Sequence, residues 1–188
     1  MSLELFEQFY RKGSAEYKLA MHLHDYSESQ DPGLGHDDLR ILDDEDDVIN
    51  YWFDGDEETA ENFYTFAATS QSGLFAVWLL DGVPRPKMPI VFLGSEGDAH
   101  VIASSLADFV ALLSLSVDEL EWAFSQLDLD EDTAASKKLL QFRAFLETEC
   151  KIKRPSDPPA QVKAAQAEHP SLKEFVEKWA DEWSQKKK

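Results

Sequence analysis

Cysteine is almost absent from this chain: Cys150 stands alone, so no internal disulfide can form. The N-terminal stretch MSLELFEQFYRKG lacks a basic region followed by an apolar run and a cleavage site. Together these lead us to expect a cytoplasmic protein in a reducing compartment. Long hydrophobic runs are missing too. Leu74–Leu80 and Leu106–Leu113 fall well short of the roughly 20 residues that cross a bilayer, and no membrane association is expected. Positive charge is the scarcest resource. Eighteen Lys and Arg face thirty-seven Asp and Glu, a net charge of −19. Residues 151–188 carry nine basic and six acidic residues, so the preceding 150 carry nine against thirty-one. Residues 25–61 hold fifteen acids and one base, Arg40. Such a field repels phosphate backbones and anionic lipid, which argues against direct nucleic-acid binding, and it attracts a basic protein.

Apolar surface, by contrast, is plentiful. Hydrophobic residues make up 43% of the chain, with twelve Phe, five Trp and five Tyr, so the chain folds around a core instead of remaining an acidic disordered tract. At 188 residues one domain is expected. Residues 3–23 read as a helix with Leu3, Phe6, Phe9, Tyr17 and Met21 on one face, broken near Gly13. From Asp25 to Gly55 the periodicity dissolves into an irregular connection containing Asp31-Pro32-Gly33-Leu34-Gly35 and the run Asp43-Asp44-Glu45-Asp46-Asp47. Val48-Ile49-Asn50-Tyr51-Trp52-Phe53 has strand propensity, and reads either as a buried strand or as an exposed aromatic anchor.

The middle of the chain is β in character. Strands are expected near 63–69 and 74–80, joined through Ser70-Gln71-Ser72-Gly73, then near 89–94 and 100–103 across Gly94-Ser95-Glu96-Gly97-Asp98. Helices are expected over 105–114, capped by Ser105, over 117–127, and around Leu139, Phe142 and Leu146. Residues 151–159, with three prolines, read as a linker. A final helix begins near Ser171 with Leu172, Phe175, Val176, Trp179 and Trp183 on one side, an amphipathic face that must dock on the body. The expected fold class is therefore α+β: a single domain with a largely antiparallel or mixed sheet of four or more strands flanked by helices. Its body is residues 1–150, and residues 151–188 add a helical extension packed on it.

Motifs that would carry catalysis are incomplete. His22 and His24 form a His-x-His pair, but Tyr26 and Ser27 stand where a two-metal hydrolase pattern requires Asp and His. His36-Asp37-Asp38 lies in a Gly-rich segment without the flanking ligands of a phosphohydrolase. Asp128-Leu129-Asp130-Glu131-Asp132 alternates acids as a calcium loop does, yet Thr133 and Leu139 replace its Gly and its bidentate Glu. There is no Gly-x-Ser-x-Gly elbow, and acidic neighbours raise the Cys150 pKa. A non-catalytic protein without cofactor or metal is the expectation.

Pro89-Ile90-Val91-Phe92-Leu93-Gly94-Ser95-Glu96-Gly97-Asp98, followed by Val101 to Leu113, resembles the signature of the SUKH superfamily, the Smi/Knr-type domains. In these a strand, a Gly-Ser-x-Gly turn, a short strand and a helix of the form Leu-Ala-x-Phe-x-x-Leu-Leu follow one another. Residues 63–115 carry the resemblance most clearly. Gly94, Glu96 and Gly97 occupy the turn, Gly94 and Gly97 being expected to supply positive φ, while Leu106, Phe109 and Leu113 hold the helix on the sheet. The resemblance implies protein binding, and in bacterial members immunity against toxins of polymorphic systems, often nucleases and often basic. A housekeeping interaction module of the same fold is the alternative, and a metal-dependent hydrolase using His22, His24 and His36 belongs to another class. The expected partner surface joins acids to aromatics: Asp37, Asp38, Asp43, Asp44, Glu45, Asp46, Asp47, Tyr51, Trp52, Phe53, Asp54, Asp56, Glu57 and Glu58. The bland reading of the same acids is a solvated flank.

Overall fold

The computed structural model describes residues 9–42, 48–116, 120 and 135–187. Five strands form one antiparallel meander in the order β1-β2-β3-β4-β5: Leu39–Ile41, Phe63–Thr69, Leu74–Trp78, Ile90–Leu93 and Ala99–Ala103. The fold is α+β, as the alternating segments lead one to expect. Thr69 and Gly73 close the β2–β3 hairpin, the Thr69 N–H donating to the Gly73 carbonyl at 2.7 Å and the Gly73 N–H to Thr69 Oγ1 at 2.9 Å. Phe63 pairs with Trp78, Phe75 with Phe92 and Val91 with Val101.

β3, Leu-Phe-Ala-Val-Trp, is buried at every position. Both faces of the sheet are therefore apolar and both are covered. On one face Phe66, Phe75, Ile90 and Ile102 pack under α1 (Ala15–Ser29), α4 (Leu106–Leu112) and α5 (Lys137–Phe145). On the other, Phe63, Leu74, Trp78, Val91 and Val101 pack under α2 (Val48–Trp52), α3 (Glu57–Ala60), α6 (Pro158–Glu168) and α7 (Leu172–Lys186). Each fully buried aliphatic or aromatic side chain contributes about 1.5–3 kcal/mol to this arrangement. No helix among the described residues is long and apolar enough to cross a membrane.

Side-chain caps set the helix starts. Ser14, Ser105, Ser136 and Ser171 accept from the N–H groups of Tyr17, Asp108, Leu139 and Glu174, each at 3.1 or 3.2 Å. The break at Gly13 is present, at φ +86°. Several expectations are corrected. Residues 25–55 are not wholly irregular: α1 runs on to Ser29, and Leu39–Ile41 forms the edge strand, too short to announce itself by alternation. Val48–Trp52 is a helix, not a strand, and its local β propensity yields to packing of Val48, Ile49 and Trp52 on one face. Pro158 and Pro159 begin α6 instead of extending a linker, because proline's fixed φ and missing N–H suit the first helical turn, with Asp157 capping. Gly97 has φ +86°, but Gly94 does not need positive φ; it is confined by space, a Cβ there falling 1.9 Å from Asp98 Oδ1. The helix expected at 117–127, the acidic run 43–47, the calcium-like stretch 128–132 and the start of the first helix lie outside the described residues.

The connection after α1 is stitched locally. The Asp31 carboxylate accepts from the Gly33 and Gly35 N–H groups at 3.2 and 2.8 Å, and the turn drives Leu34 and His36 into the core. His36, 5% exposed, donates Nε2–H to the Leu113 carbonyl at 2.8 Å, tying the loop to the end of α4. Burial pushes its pKa below the ordinary imidazole value; the bond to Leu113 and the carboxylates of Asp31 and Asp37 work against this, and Arg143 adds to it. The unfolded chain thus takes up the proton first. The stability held by neutral His36 is complete above the ordinary imidazole pKa and is lost as the pH falls towards the depressed one. His36→Gln should cost about 1–2 kcal/mol at neutral pH. Thermal unfolding of that variant should depend less steeply on pH between about 7 and 5 than that of the wild type.

Candidate functional site

Beyond the ends of β2 and β3 the sheet leaves a groove of about 1020 Å³. Its floor is built from Ala68 and Leu74, with Leu39 of β1 at its edge, and α2 and α7 border it with Tyr51, Trp52, Val176 and Trp179. Asp37, Asp38 and Arg40 form its charged rim at the sheet edge, and Ser95 and Gly97 of the β4–β5 turn close it. The turn that carries the family resemblance and the aromatic end of the acidic segment thus meet at one place. Trp52 Nε1–H donates to the Gly94 carbonyl at 3.0 Å, joining residues 42 positions apart.

The aromatic residues of this segment divide by role. Phe53 is 0% exposed, stacking on Phe63 at 5.1 Å and meeting Trp179 edge-on at 4.9 Å. It belongs to the core and cannot touch a partner, a correction to its expected place on the surface. Trp52 is half-buried between Phe53 and Trp179, with ring centroids 4.8 and 6.4 Å away. Tyr51, two positions before Phe53 and so turned away from it on the short helix, is 85% exposed and lines the groove with Trp52. One helical turn therefore separates a core anchor from a solvent-facing ring.

The acids divide in the same way. Asp56 is 6% exposed and turned inward, a second correction, accepting from Thr59 Oγ1 at 2.8 Å and Trp179 Nε1 at 2.9 Å. Burial alone would raise its pKa; those hydrogen bonds outweigh it and hold the carboxyl below the ordinary value. Asp54 takes Lys187 and the Trp183 Nε1–H, at 3.3 Å, so the last turn of α7 is tied to the α2–α3 connection, and these bonds lower its pKa. Asp37 pairs with Lys138, which lowers it likewise. Asp38 accepts from Ser70 Oγ at 3.1 Å and stays exposed, as do Glu57 and Glu58. Glu96 is exposed on the β4–β5 turn, while Leu106, Phe109 and Leu113 are buried under the sheet. Asp43, Asp44, Glu45, Asp46 and Asp47 lie outside the described residues.

The candidate catalytic groups do not assemble. His22 is exposed and His24 half-buried on α1, two residues apart and so on different sides of the helix. His36 is engaged with Leu113. No three His, Cys, Asp or Glu side chains converge as a metal site among the described residues. Burial, with Glu149 adding to it, pushes the Cys150 thiol up to about 11. Sequence reasoning missed the sheet-end residues Leu39 and Leu74 and the contribution of Val176 to the groove. The amphipathic stripe of α7 was the available signal, but its docking position was not.

Removing Trp179 breaks the contacts to Phe53 and Asp56 together, so Trp179→Ala should destabilise the protein by roughly 2–3 kcal/mol in urea unfolding. Tyr51→Ala should change stability by less than about 0.5 kcal/mol, because its ring is in solvent. No family model, curated protein or solved structure matches the chain.

Proposed function

We propose that this protein is a non-catalytic binding protein whose partner is a basic protein, and that it acts as an immunity protein neutralising a toxin such as a nuclease domain. One observation carries the reading: an exposed tyrosine and a fixed tryptophan stand at a groove on a chain of net charge −19, beside the exposed carboxylate of Asp38. Aromatic rings held in place dominate interface energetics, and a negative field accelerates encounter with a positive surface. The resemblance of residues 63–115 to SUKH domains supports immunity among protein-binding roles, and its turn residues Ser95 and Gly97 border the groove. The carboxylates of Glu57 and Glu58 on α3, with the five between Leu42 and Val48 in the sequence, add to the field.

The test is growth. A protein encoded beside this one should arrest cells when expressed alone, and co-expression of this chain should restore growth; arrest unrelieved by co-expression overturns the immunity role. With that partner in hand, the combined substitution Asp38→Asn, Glu57→Gln and Glu58→Gln should slow association about three- to tenfold at low salt, and much less at high salt, with dissociation little changed. Association rates that ignore both the substitutions and the salt would remove charge steering from the mechanism.

A further inference from the structure

The groove has a chemistry narrower than negative charge. Its aromatic wall is rigid: Trp52 is pinned through Nε1 to the Gly94 carbonyl, and Trp179 through Nε1 to Asp56, so both indole planes are set before any ligand arrives. Tyr51 adds a ring in solvent at the same wall. On the same lining, the Asp38 carboxylate offers four acceptor positions, of which the Ser70 hydroxyl takes one. Asp37 is occupied by Lys138, and Arg40 is the single base on the lining among the described residues. Aromatic rings and an exposed carboxylate lining one groove suit a cation that is itself flat. Guanidinium stacks on aromatic faces, is weakly hydrated, and meets a carboxylate through two parallel N–H donors, whereas ammonium is a compact and strongly hydrated point charge. At about 1020 Å³ the groove has room for a stretch of chain, and the charge of the molecule disfavours an anionic occupant.

We propose that the groove seats an arginine-bearing extended segment of the partner protein, its guanidinium lying against Tyr51 and Trp52 and its charge met by Asp38. This rests on the reading above that the chain binds a basic protein, and it names what that protein must present. Tight docking then depends on arginine placement, while the wider acidic surface sets the rate of approach.

The probes are acetylated tetra-arginine amide and tetra-lysine amide, titrated against the full chain. The indole N–H resonance of Trp52 is followed by NMR, assigned with Trp52→Phe. Tetra-arginine should shift that resonance and bind at least about threefold more tightly than tetra-lysine. Tyr51→Ala and Asp38→Asn, both exposed positions, should each weaken tetra-arginine binding about three- to tenfold. Asp81→Asn, an exposed acid on the β3–β4 connection outside the groove, should not. A still Trp52 resonance, equal binding of the two peptides, or an Asp81→Asn effect matching that of Asp38→Asn overturns the proposal. Growth rescue separates the two readings. If Tyr51→Ala and Asp38→Asn chains rescue as fully as wild type, the groove is not the partner's seat and immunity stands. If wild type rescues nothing while tetra-arginine binds selectively, the guanidinium site stands and the neutralising role falls.

Discussion

A sheet that is apolar on both faces can be stable in water only if both are covered. β3 imposes that condition here, since all five of its residues are buried and alternate between two cores. The first face is covered by α1, α4 and α5, with Val162 of α6 reaching it. The second draws its cover from two distant places: residues 48–60 before β2, and residues 158–186 at the end of the chain. The C-terminal helices are therefore half of the second layer, and Ala165 and Leu172 are as buried there as strand residues. Folding of that layer requires two segments more than a hundred residues apart to meet, and the Phe53–Trp179–Asp56 contacts are where they do.

The groove follows from the same condition. α2 is five residues long and α7 lies against it, so the second layer stops before the ends of β2 and β3, leaving Ala68 and Leu74 as a floor. Because the rings that complete the layer are large, its margin is aromatic. Because the neighbouring acids were not all spent on internal bonds, its rim is charged. Asp54 and Asp56 show what spending means: the Trp183 indole and the Lys187 ammonium hold Asp54, the Trp179 indole and the Thr59 hydroxyl hold Asp56, and both serve the fold. Asp38, Glu57 and Glu58 remain for whatever approaches.

Much of the fold was legible. The four long strand segments alternate or run continuously apolar between turn residues, and local chemistry suffices to place them; Ser105 and Ser171 mark helix starts because a hydroxyl three residues before an N–H has an obvious use. The exceptions share a cause. Leu39–Ile41 is a strand only because Ala67 to Thr69 pair with it, and Val48–Trp52 is a helix only because its apolar side finds the second core. The positive φ assigned to Gly94 failed for a related reason: its constraint is the Asp98 carboxylate folding back over it, a tertiary contact of a turn.

The sequence by itself determined the charge of the molecule, its α+β alternation, the absence of a disulfide and the concentration of acid and aromatic residues in one segment, since these depend on composition and near-neighbour spacing. It could not sort Tyr51, Trp52 and Phe53, or Asp38, Asp54 and Asp56, into surface and core. Within each set the residue types are the same or similar, and only the tertiary structure decided which were used internally. A helical turn points adjacent aromatics in different directions, and the donors that claim Asp54 and Asp56 arrive from a helix more than a hundred residues away.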